Sequence, residues 1–158
     1  MFCAEVKGYR LKVIGEENSG AETNAYQLSP INYKLNIKNM AHFQNLIVYQ
    51  LSKDLVKLVY AKIKGFPADE RFALCDQLRR AVISIPSNIA EGMGRTAEKE
   101  QAHFINIAFG SLMEVLAQMD IAKDLEYITI EDYKQIETMV NEIGKMLSSL
   151  RAKRNPCL

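Results

Sequence analysis

Two histidines and three cysteines in 158 residues leave little material for metal or thiol chemistry. Cys3, Cys75 and Cys157 stand far apart and form no CxxC pair. That excludes a zinc or disulfide framework and points to a reducing compartment. Neither sign of charge is in excess: 20 Lys plus Arg face 19 Asp plus Glu. No global field marks the chain for nucleic acid, so any such binding must come from a local patch. No signal of the charged-then-apolar kind opens the sequence, and no stretch reaches about 18 uninterrupted apolar residues. The nearest, 104–122, contains Asn106, Ser111, Glu114, Gln118 and Asp120. The expectation is a soluble, cytoplasmic protein.

What is present suffices for one domain, since 48% of the residues are hydrophobic. Residues 1–39 differ from the rest. In "INYKLNIKN", Ile31, Tyr33, Leu35 and Ile37 alternate with Asn and Lys, and a weak hairpin with "VKGYRLKVI" is one reading. The other is a translated leader, disordered or loosely attached, with Met40 as the true start. Residues 40–152 read as helical throughout, and 153–158 as a C-terminal tail.

Helical periodicity predicts four segments. The first runs from about His42 to Lys64 and stops at "GFP", with Leu51, Leu55, Leu58 and Val59 on one side. The second begins near Asp69 and carries Leu74, Leu78, Ala81, Ile85 and Ile89. The third starts after Thr96 as N-cap, with Glu98 and Glu100 in its first turn, and continues to about Lys123. Thr129 caps the fourth, whose seam is Tyr133, Ile136, Val140, Ile143, Leu147 and Leu150. Four amphipathic helices with short connections predict an all-α, antiparallel up-and-down bundle. The third is apolar around most of its circumference, more than a bundle's inner stripe requires. Self-association follows, with Phe109, Met113 and Leu116 as interface candidates.

One stretch breaks the pattern. In "SIPSNIAEGMGR" (84–95), helical spacing aligns Arg80, Ser84, Asn88, Glu91 and Arg95 beside the apolar stripe. Pro86 removes a bond to the carbonyl of Val82, so a kink or restart is expected there. Ser84, Ser87, Asn88 and Glu91 are candidates for a polar network that fixes the bundle's register. Gly92 and Gly94 then stop the helix, one of them in the left-handed conformation. "GMGR" lacks the preceding strand and the spacing of a phosphate loop.

"QLRRAVISIPSNIAEGMGR", followed by "FINIAFGSLMEVLAQMDIA", resembles a family of small four-helix-bundle proteins encoded in intervening sequences of bacterial 23S rRNA genes. Its members are often called S23 ribosomal proteins, and the accessory protein of diversity-generating retroelements is similar. The resemblance covers about 45–152 and leaves out 1–39. It implies a ring-like homopentamer and, through the retroelement relatives, RNA or DNA binding by a basic surface. From Met40 onward 15 Lys plus Arg balance 15 Asp plus Glu.

Catalytic chemistry finds no support in the residues. Glu100-x-x-His103 is a single ExxH, whereas a di-iron bundle needs two such motifs and two further glutamates. His42 has no glutamate three residues before it, and Cys75 reads as a small core residue. No enzyme, metal or cofactor is expected. The candidate nucleic-acid contacts are Arg79, Arg80 and Arg95, Lys53 and Lys57, and the basic tail of Arg151, Lys153 and Arg154. The function expected is a non-enzymatic oligomer that binds structured RNA or another nucleic acid. The alternative is a protein–protein adaptor, an accessory subunit docking on a larger enzyme.

Overall fold

The computed structural model describes Glu5–Val6, Tyr9–Arg10 and residues 42–154. The chain divides into two compact units, residues 1–33 and 34–158. In the first, β1 (Glu5–Val6) pairs antiparallel with β2 (Tyr9–Arg10), Glu5 opposite Arg10 and Val6 opposite Tyr9. The expected pairing with 31–39 and the leader reading lie outside the described residues.

The second unit is an antiparallel up-and-down four-helix bundle. Its helices are α1 (Ile47–Lys62), α2 (Leu74–Met93), α3 (Glu98–Asp124) and α4 (Ile130–Arg154). Each packs on its neighbours in sequence, and α1 closes against α4. The most extensive packing is that of α2 with α3. The core is built from stripes spaced three and four apart: Leu55 and Val59, then Leu78, Val82, Ile85 and Ile89. Opposite them stand Ile105, Leu112, Val115 and Met119 of α3, and Ile136, Val140, Ile143 and Leu147 of α4. Burying each such side chain contributes about 1.5–3 kcal/mol.

Helix ends depart from the sequence reading at three points. A 3-10 turn (Ala68–Phe72) follows Pro67, so α2 begins at Leu74 rather than near Asp69. Glu70 secures that start: its Oε2 accepts the Leu74 N–H at 3.2 Å and its Oε1 accepts the Tyr127 hydroxyl at 3.3 Å. Burial pushes the Tyr127 phenol above its ordinary pKa. Thr96 is not the cap of α3. The helix starts one residue later, from Ala97, which has no side-chain oxygen to offer. Lys153 and Arg154 belong to α4, not to a tail, because the helix runs through them. Thr129 does cap α4, its Oγ1 accepting the Asp132 N–H at 3.1 Å. Asp132 also ties α4 to α1 through Lys62, whose ammonium holds the carboxyl below its ordinary pKa.

The α3–α4 turn is made by a residue that resists it. Glu126 has φ 59°. Its N–H donates to the Lys123 carbonyl at 3.0 Å, and the Tyr127 N–H to the Ala122 carbonyl at 2.8 Å. This is the double bond of a Schellman cap, where glycine is the favoured residue. Left-handed backbone costs a non-glycine residue about 1–2 kcal/mol, against about 0.4–1 kcal/mol of unfolded-chain entropy that glycine adds. Glu126→Gly should therefore stabilise the bundle by about 0.5–1 kcal/mol, read as a higher urea midpoint with unchanged slope.

Candidate functional site

Pro86 neither breaks nor restarts its helix: α2 is continuous from Leu74 to Met93 around it. Side chains serve the carbonyls beside the gap. The Ser87 hydroxyl donates to the Ile83 carbonyl at 2.9 Å, and Asn88 Nδ2 donates to the Ser84 carbonyl at 2.8 Å. Asn88 Nδ2 also reaches Ser84 Oγ at 2.9 Å, and Ser84 Oγ lies 2.8 Å from Ser111 Oγ on α3. Ser111 Oγ in turn donates to the Ile107 carbonyl at 3.0 Å. One direction satisfies every hydroxyl: Asn88 to Ser84, Ser84 to Ser111, Ser111 to Ile107. A polar relay thus crosses from α2 to α3 and ties their register.

Two of the four residues expected in this network lie outside it. Ser87 is exposed and bonds only its own helix. Glu91 is exposed and pairs with Arg95 one turn on, while the bonds of Asn88 go to Ser84. Ser111, the partner that completes the relay, comes from another helix 27 residues away. The glycines also act otherwise than expected. Gly94 ends α2 with φ −79° and ψ −12°, an ordinary right-handed conformation. Gly92 is buried inside the helix, where a Cβ would stand 3.0 Å from Phe104 Cβ and 3.3 Å from the Gln101 carbonyl. It is there for close approach of α3, not to turn the chain.

The candidate cations do not form one patch. Arg79 pairs with Asp76 at 3.2 Å, Arg80 lies 3.9 Å from the same carboxylate, and Arg95 holds Glu91. Arg80 and Arg95 are roughly 20 Å apart along the helix. Lys53 and Lys57 lie elsewhere, in a groove between α1 and α2, with Lys57 paired to Asp54 at 2.8 Å. That pairing holds the Asp54 carboxyl below its ordinary pKa. Four cations without a carboxylate partner follow one another instead in the last three turns of α4. Among the described residues, none of Lys145, Arg151, Lys153 and Arg154 is in a salt bridge. Arg151 Nη1 donates to Asn106 Oδ1 at 3.1 Å. Lys145 and Lys153 flank a second groove of about 520 Å³ at the start of α1, with Asn45 and Ser149 beside them. The sequence reading missed Lys145, although Lys145, Ser149 and Lys153 follow at steps of four.

Of the three interface candidates on α3, only Met113 is exposed, at 37%. Phe109 and Leu116 are half-buried against the bundle's own core. Phe109 is turned to α4, its ring 3.6 Å from where a Cβ on Gly144 would stand. The large apolar residues exposed on α3 are Ile107, Met113 and Ile121. Glu100 and His103 are exposed near its start, and no three His, Cys, Asp or Glu gather among the described residues. Cys75 is buried, its thiol raised in pKa by that burial and directed at the Ile63 carbonyl.

Fold and surface together define an up-and-down helical bundle with a polar relay across α2–α3 and a cationic end to α4. The chain belongs to the 23S rRNA-intervening sequence protein family, whose model matches residues 44–149. The crystal structure of a protein of unknown function from the S23 ribosomal protein family of Bacteroides thetaiotaomicron is similar, with a TM-score of 0.59 and 26% identity. The likeness covers 66% of this chain and 98% of that one. No curated protein matches the sequence. The family match spans the relay and Lys145 and ends before Arg151, Lys153 and Arg154.

Proposed function

We propose that this protein is a non-enzymatic, self-associating bundle that binds structured RNA through the C-terminal end of α4. The observation that carries the reading is the group of cations, Lys145, Arg151, Lys153 and Arg154, which have no salt bridge among the described residues, whereas Lys57, Arg79, Arg80 and Arg95 are paired and Lys53 stands alone in the α1–α2 groove. The family description, which names an RNA context, supports it. Antiparallel topology brings the start of α3 to the same end of the bundle, which adds Lys99. In a ring-like homo-oligomer, a pentamer by the resemblance, a modest patch becomes a continuous basic rim.

Binding of a folded 23S rRNA fragment, measured against salt, tests this. Changing Lys145, Arg151, Lys153 and Arg154 together to alanine should lower affinity at least tenfold. The salt slope should flatten by about 3–4, roughly one counterion for each phosphate that is no longer neutralised. Alanine at Arg79, Arg80 and Arg95 should change affinity less, because those cations are already neutralised. A wild-type protein that binds no RNA at low salt would refute the reading. The exposed apolar side of α3 would then favour the second one, an adaptor that docks on a larger protein.

A further inference from the structure

We infer that the outer side of α3 of one copy seats in the groove between α1 and α2 of the next. The inference rests on the self-association proposed above and specifies its two faces.

The first face is an apolar line that the bundle does not cover. Ile107, Gly110, Glu114, Ala117 and Ile121 follow at steps of three and four, so they stand in one line on the helix. Ile107 and Ile121 are 38% and 52% exposed at its two ends. Between them Gly110 and Ala117 are exposed small residues, and a Cβ on Gly110 would meet nothing within 4 Å. Such a line lets a partner surface approach closely. Its single charge is Glu114, whose Oε1 accepts a bond from Gln118 at 2.9 Å and, among the described residues, has no cation in its own chain.

The second face is the complement of the first. The α1–α2 groove has a volume of about 510 Å³. Tyr49, Val56, Ile83, Pro86 and Ala90 give it an apolar floor, and Lys53 and Lys57 supply its charge one turn apart. Among the described residues, no carboxylate lines it. Lys53 has no acidic partner among them and lies 5.3 Å from the Tyr49 ring centroid. An apolar strip with one central carboxylate thus matches an apolar trough with an unpaired ammonium, and both are carried by the same chain. Pro86 has a use here: without an N–H it presents a purely apolar surface in the trough.

The two faces are different surfaces, so their contact is heterologous. Every copy offers one of each, and copies follow one another until a ring closes. Ser111 turns one flank of α3 to α2 and Phe109 turns the other to Gly144 of α4. Helical spacing puts the strip nearer the Ser111 flank, so it looks out from the side next to the α1–α2 groove rather than the side opposite it. Successive copies must therefore curve.

Charge reversal and cross-linking test the assignment on the full chain. Glu114→Lys, and separately Lys53→Glu with Lys57→Glu, should each shift the sedimenting species from oligomer to monomer at micromolar concentration, with helical circular dichroism retained. All three changes in one chain should restore the oligomer. In a background of Cys3→Ser and Cys157→Ser, Ala117→Cys combined with Ser87→Cys should oxidise to a covalent ladder beyond the dimer. Ala117→Cys alone that cross-links efficiently to dimer would overturn the inference in favour of an α3–α3 contact. An oligomer indifferent to both charge reversals would overturn it while leaving self-association standing. A monomeric wild-type protein would overturn both.

Discussion

Leu112→Ala is expected to remove about 2–5 kcal/mol of stability, the range for a leucine cut back inside a well-packed core. Leu112 is fully buried near the middle of α3, the longest helix. Its Cδ2 lies 3.6 Å from where a Cβ on Gly144 would be, so it rests against the bare backbone of α4. A glycine has no side chain to swing into the vacancy, and rigid helix backbones cannot close it. The loss should therefore fall in the upper half of the range. Urea unfolding at fixed protein concentration measures it, with the slope unchanged if only stability moves. Met113→Ala, next in sequence but exposed, should cost less than about 1 kcal/mol. A Leu112→Ala loss as small as that of Met113→Ala would show that the core collapses around the deletion.

The helices were legible because each one's apolar residues recur at helical spacing, a property of single segments. Thr129 was legible as a cap for the same reason: the cap and the N–H it serves are three residues apart. Thr96 misled because it is a good capping residue that stands one position too early, and composition does not fix a start to one residue. The site was less legible, since its bonds join different helices. Ser84 and Asn88 were visible on one face of α2, but nothing in the sequence marks Ser111 as their partner. Conversely, Glu91 and Arg95 stand four apart, a spacing that already predicts their pairing and the neutralisation of Arg95. Phe109 looked outward on a helical wheel centred on the core stripe. In a bundle the flanks of each helix also meet neighbours, and Phe109 occupies the flank facing Gly144. The conformation of Gly92 could not be read because glycine serves both turns and close contacts, and only the position of Phe104 decides between them.

Gly92→Val is expected to cost about 3 kcal/mol, the top of the usual range for overpacking. Sequence logic alone suggests the opposite, because a glycine inside a helix is about 1 kcal/mol worse than alanine. The geometry decides. A Cβ at residue 92 would stand 3.0 Å from Phe104 Cβ, 3.3 Å from the Gln101 carbonyl oxygen and 3.9 Å from Gln101 Cα. None of these atoms is the free end of a flexible side chain, so relief requires the first turns of α3 to move away from α2. That shift would also disturb the Arg95 guanidinium, 4.8 Å from the Phe104 ring centroid, and the bond from Gln101 Nε2 to the Arg95 carbonyl. With Gly92→Ala the gain in helix propensity offsets part of the clash, and a small net loss is expected. Valine adds two methyl groups at the same crowded point and a β-branched side chain that the helix disfavours. Urea unfolding of the two variants separates the terms, and amide exchange should quicken first in residues 98–105 of α3. A valine variant as stable as the parent, with exchange there unchanged, would mean that the two helices have room to spare at this crossing.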